Sequence, residues 1–170
     1  MKHVLLAVVA VSVLTSSCSD NSGTFTSTAS STTSPSATTL PTSATSADLA
    51  FCVSETNRYR KLAGKPTLAQ SSVLEAYAAT GAQADAISRV PHSHFDGTSG
   101  GGVALAENEL LAAGLALFGT VQEAMRQAIG AFYAEGPTGG HYQNLEGPYT
   151  QVGCGVYIAN AVITFVQDFR

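Results

Sequence analysis

The residues of this chain that can do chemistry lie in separated segments. They are His92-Ser93-His94, Glu107 within Ala106-Glu107-Asn108, Glu135, and His141 within Gly140-His141-Tyr142-Gln143-Asn144. Imidazoles and carboxylates drawn from distant parts of a chain build polar clefts, where they ligate a cation, move protons or hold one another by hydrogen bonds. Ser93, beside two histidines, is the nucleophile candidate. Adjacency in sequence does not set hydrogen-bond geometry, however, and neither a nucleophile elbow nor a His-Glu-x-x-His helix supports a hydrolase.

The elements that must position these groups follow from periodicity. Leu49, Cys52, Val53, Thr56 and Tyr59 repeat at helical spacing behind the cap candidates Ser46 and Asp48, and Gly64 with Pro66 ends the pattern. Val73, Leu74, Tyr77, Ala78, Ala82 and Ile87 outline a second helix. It must stop before Pro91, which places His92 and His94 on a loop. Glycines between Asp96 and Gly102 extend that loop with a spacing unlike a phosphate cradle. Thr120 and Glu123 form a capping box for a third helix through Met125, Ile129, Phe132 and Tyr133, closed by Gly136 and Pro137. Glu135, in its last turn, opposes the helix dipole and calls for a cationic partner. Residues 151–158 and 162–169 are rich in β-branched and aromatic residues and flank Ala159-Asn160 as a hairpin. The expected class is α+β, helices packed on a small antiparallel sheet.

Composition sets the compartment. Lys2, an apolar run over 4–14 and small residues up to Cys18 have the layout of a signal peptide over 1–17, with Cys18 as a lipidated N-terminus; ordinary secretion with cleavage near Ser17 is the alternative. The apolar run is too short to span a membrane, so contact with one is expected only through the lipid anchor. Residues 18–47 are dominated by Ser and Thr and form a disordered tether, which leaves 48–170 as one domain. Eight basic residues against twelve acidic give a net charge of −4, and only Arg89, Arg126 and Arg170 are basic after Lys65. A nucleic-acid surface is therefore not expected. Cys52 and Cys154, in an exported chain without a Cys-x-x-Cys motif, are expected to form a structural disulfide. In the chain-entropy description such a bond stabilises by about 4–5 kcal/mol.

Taken in order, several motifs resemble the CAP superfamily of cysteine-rich secretory proteins, antigen 5 and pathogenesis-related proteins. Asn57-x-Tyr59-Arg60 with Gly64 and Pro66-x-Leu68 is similar to that family's first-helix signature, and Ala106-Glu107-Asn108 to its Gly-Glu-Asn segment. The run from Ala128 to Glu135 resembles its Trp-Tyr-x-Glu helix, with Phe132 in place of Trp. Gly140-His141-Tyr142-x-Asn144 followed by Val152-Gly153-Cys154-Gly155 resembles its most specific block.

The resemblance implies a three-layer α-β-α sandwich of the SCP-like extracellular type. It also implies a cleft tetrad of His94, Glu107, Glu135 and His141, with His92 as the alternative to His94. By the same resemblance His94 and His141 would be ligands of a zinc-like divalent cation, or the four side chains would simply hydrogen-bond one another. The implied role is an exported binding module, a cell-envelope lipoprotein or secreted monomer, that takes a sterol, fatty acid or other small hydrophobic ligand or an extracellular protein. A metal- or His/Glu-dependent peptidase and a surface interaction protein with a purely structural tetrad are the rivals. Tyr133, Tyr142, Tyr149 and Tyr157 are expected in the core rather than on a ligand surface.

Overall fold

The computed structural model describes residues 43–170. The expected signal peptide, lipidation at Cys18 and the tether up to residue 42 lie outside the described residues.

The first helix, α1 (Ser46–Leu62), begins within the stretch assigned to the tether. Thr45 is its N-cap, and Asp48 acts as the third helical residue of a capping box. A two-residue strand β1 (Ala69–Gln70) leads into α2 (Ser72–Ser88). Then come a short helix α3 (Ser93–Thr98), strand β2 (Ala106–Gly114), helix α4 (Val121–Ala134), a short helix α5 (Gly140–Leu145), and the hairpin β3 (Gln151–Ala159) and β4 (Val162–Phe169). The sheet has the order β1-β3-β4-β2. It is mixed rather than antiparallel throughout, because β1 runs parallel to β3. The hairpin turn falls at Asn160-Ala161, one residue later than expected, and both residues take left-handed φ values of 52° and 60°.

Alternation along β3 divides the layers. Val152, Cys154, Val156 and Ile158 join Phe165, Phe169 and the α4 residues Met125, Ile129 and Phe132 in the main core. Cys154 is disulfide-bonded to Cys52 of α1 on this side, as expected. Gly153 and Gly155 face α2, where a Cβ on either would collide with the helix backbone at Leu74–Glu75 or Ala78–Ala79. Small residues on both sides therefore seat α2 directly on the sheet. Of the four tyrosines, Tyr133 and Tyr149 pack on the main core and Tyr157 on the Ala78, Ala82 and Val166 cluster, while Tyr142 is half-buried against Tyr133.

Two local expectations are corrected. His92 and His94 do not sit on a loop: His92 caps α3 in a left-handed conformation (φ 58°) and His94 lies within that helix. The glycine run after it closes into a 3-10 turn, Ser99–Gly102, with Gly100 and Gly101 left-handed.

Candidate functional site

Strand β2 is an edge strand whose alternate residues Glu107 and Glu109 share the α2 face of the sheet, in register with Asp168 and Val166 of β4. The left-handed turn at His92 folds the start of α3 back over these carboxylates. His92 Nδ1 lies 2.8 Å from Glu107 Oε1, and the His92 backbone N–H donates to Glu109 Oε2 at 2.7 Å. His92 Nδ1 is also 3.9 Å from Glu109 Oε2. One ligand atom from each of His92, Glu107 and Glu109 lies within 4.8 Å of the others. The hydrogen bond to Glu107, opposed by burial, raises the His92 pKa. Burial, with Asp85 and Glu107 adding repulsion, pushes the Glu109 carboxyl up to about 7.

The second histidine–carboxylate pair comes from the opposite layer. Glu135 follows the last turn of α4, and the Gly139 backbone passes so close that a Cβ there would strike the Glu135 side chain. This close approach brings His141 back to Glu135, with Nδ1 at 2.5 Å from Oε1 and the backbone N–H donating to Oε2 at 3.1 Å. His141 thus supplies a hydrogen-bond partner for Glu135 at the helix C-terminus, and that hydrogen bond holds the Glu135 carboxyl below its ordinary pKa. The His141 ring lies 4.5 Å from Phe132 and 6.2 Å from His92 between centroids, so the two pairs meet around the edge of β2.

Helix α5 is fixed there by its neighbours. Asn144 Nδ2 donates to the Glu107 carbonyl and to Asn108 Oδ1, and Asn108 donates to the His141 carbonyl. Buried Arg60 donates to the Leu145 and Gly147 carbonyls at the far end of α5 and to Pro66. Beside this junction His92, Phe95, Asp96, Leu105, Ala106, Glu107 and Asn144 line an open cleft of about 320 Å³.

The structure brings His92 rather than His94 to Glu107 and His141. The His94 ring packs against Tyr77 at 4.9 Å, its backbone N–H donates to Asp85, and its Nε2 is buried without a partner. His92, the alternative, is the ring that meets both Glu107 and His141. The reason is local: residue 92 turns left-handed before α3, and His94, two residues on, is carried under α2 at Gly81. Glu107, Glu135 and His141 lie with His92 around the edge of β2.

Three carboxylates escaped sequence reasoning. Glu109 lies two residues beyond Glu107, which is the strand spacing that puts it on the same face; β2 went unrecognised because its buried first half is Ala-Glu-Asn-Glu. Asp85 and Asp168 are both fully buried beneath the cleft. Burial, together with Glu107 and Asp85, pushes Asp168 up to about 9. The unpartnered buried atoms here are Asp85 Oδ2, His94 Nε2, Glu107 Oε2, Glu109 Oε1 and both Asp168 oxygens. Ser93 Oγ donates to Asp85 Oδ1 and meets Ser88 Oγ, and is not hydrogen-bonded to an imidazole. The run Gly97-Thr98-Ser99-Gly100-Gly101 has the G-x-S-x-G spacing, but it spans the end of α3 and the 3-10 turn, with no strand leading into it.

A four-stranded mixed sheet between α2 on one face and α1, α4 and α5 on the other, with a His/Glu group at its edge strand, defines an α-β-α sandwich module. A comparison with protein families matches residues 53–169 to CAP, the cysteine-rich secretory protein family, and the chain belongs to that family. Domains of this family are typically extracellular. No curated protein matches the chain. Among the described residues no helix is long and apolar enough to cross a membrane.

Proposed function

We propose that this CAP domain is an exported, lipid-anchored binding module whose His/Glu cleft holds a zinc-like divalent cation and which takes a small hydrophobic ligand such as a sterol or fatty acid. The observation that carries the cation reading is that one ligand atom from each of His92, Glu107 and Glu109 lies within 4.8 Å of the others at the edge of β2. The donor chemistry fits. A neutral imidazole and two carboxylates suit a divalent ion, and the unpartnered Glu107 Oε2 and Glu109 Oε1 are buried acceptors that lack a positive partner. Glu135 holds His141 in place across the cleft, so that ring is oriented for whatever the cleft contains. The hydrophobic ligand rests on the family alone.

Native mass spectrometry of the full-length chain, purified without chelator, tests both parts. An added ion mass and a co-purifying lipid mass are the expected results. A bare mass, unchanged after exposure to zinc and to sterol or fatty acid, would leave the cleft a structural tetrad.

A further inference from the structure

We propose that Glu109 is a metal ligand, and that the cleft binds a divalent first-row transition ion between His92 Nδ1, Glu107 and Glu109 rather than between its two histidines. The inference rests on the cation-binding reading above and names its ligand set.

Three observations carry it. First, the donor atoms of His92, Glu107 and Glu109 already lie within 4.8 Å of one another, so small side-chain shifts bring all three to one ion. Second, both glutamate side chains are 1% exposed, yet each keeps an oxygen with no partner, and Glu109 accepts only the His92 backbone N–H. A carboxylate buried this far is ordinarily paired or coordinates a metal. Third, the surroundings are short of positive charge. Asp168 stands opposite Glu107 in the β2–β4 register, Asp85 is buried on the same side of the sheet, and among the described residues no Lys or Arg forms a salt bridge with any of these four carboxylates. A dication at Glu107 and Glu109 offsets that excess.

His141 is placed differently. Its Nδ1 is held by Glu135, the C-cap of α4, on the other side of the cleft. The left-handed conformation of His92, by contrast, turns both its N–H and its ring toward the same two carboxylates. A strained residue is retained where surrounding contacts over-determine it.

The experiment is isothermal titration of the full-length protein with Zn²⁺, alongside absorption spectra of the Co²⁺-loaded protein. The variants are Glu109→Gln, His141→Ala and Glu123→Gln, the last a surface carboxylate that controls for charge. Glu109→Gln should weaken Zn²⁺ by more than the roughly 10- to 100-fold that loss of an outer-shell partner costs, and shift the Co²⁺ spectrum, while Glu123→Gln should do neither. Wild-type affinity in Glu109→Gln together with lost binding in His141→Ala would put the ion between the imidazoles; the ligand set would then fail while the cation reading stood. Absence of Zn²⁺ uptake by the wild type would overturn both. Should Glu109→Gln not fold, anomalous scattering from Zn²⁺-loaded wild-type crystals decides. An ion about 2.0–2.2 Å from a Glu109 oxygen supports the assignment, and one held by His92 and His141 alone refutes it.

Discussion

The two faces of the sheet are built on different rules. On the side of α1, α4 and α5 the core is apolar and bulky, and its buried polar groups are largely partnered: Gln167 donates to Thr56, Thr56 to the Cys52 carbonyl, and Arg60 to three carbonyls. Glu146, at the end of α5, is the exception, with both oxygens unpartnered. On the α2 side the contact is made by Ala78, Ala82 and the two β3 glycines, and toward β2 it gives way to carboxylates without partners. Buried polar groups are nearly always satisfied in folded proteins. Their concentration under one end of one layer therefore marks where this fold gives up stability, and the cleft lies directly above it.

The sharpest way to break the comparison is to damage each face in its own currency of volume. Phe165→Ala, fully buried in the bulky core, should cost about 3–5 kcal/mol because a cavity opens there. Gly155→Val should cost about 3 kcal/mol or more for the opposite reason, since the new side chain must push α2 off the sheet. Denaturant melts of both variants check this. If Gly155→Val were tolerated, α2 would be loosely seated and the close-contact description of that face would fail.

The same contrast explains how much could be read in advance. The bulky face announces itself: the α1, α4 and β3–β4 patterns are periodic and give the hairpin, and the Cys52–Cys154 disulfide follows from two cysteines in a chain read as exported. The Thr120 cap is a local signal too, although only the hydroxyl half of its box forms, because the Glu123 carboxylate turns to Arg126 instead; at α1 the cap is Thr45 rather than the Ser46 or Asp48 expected. The cleft was half readable. Glu107, Glu135 and His141 came from motif likeness, while Glu109, Asp85 and Asp168 did not, because a carboxylate in a strand looks like a solvated one until its neighbours are known. The choice between His92 and His94 turned on a single left-handed residue, which nothing in the composition marks. The strand β1 and helix α5, at two and six residues, are held by tertiary partners rather than by propensity.

A smaller effect of opposite sign is expected from removing one of the buried carboxyl groups. Asp168 has a folded pKa of about 9 against an ordinary value of 3.8. The folded, metal-free protein therefore keeps a proton that the unfolded chain releases, and its stability should fall as pH rises across that window. Asp168→Asn keeps the shape and removes the titration, so it should stabilise the metal-free protein by about 1–3 kcal/mol at neutral pH. The gain should grow from pH 5 to pH 8 in thermal melts. A variant less stable than its parent at every pH would show that the Asp168 charge is favourably held.

The exposed pair should respond least. Glu135 is held below its ordinary pKa by His141, so its contribution is present above the unfolded pKa and is lost as pH falls through the folded one. Both side chains are about a third exposed, at 35% for Glu135 and 31% for His141, and water and salt screen their attraction. Glu135→Gln should therefore cost less than about 1 kcal/mol, with the difference shrinking between 0.01 and roughly 1 M salt. A larger, salt-independent loss would mean that Glu135 acts by fixing the chain from Gly139 to His141 rather than through its charge. The two halves of the cleft would then be equally structural, and the contrast between a buried, charge-starved half and an exposed, self-satisfied half would have to be given up.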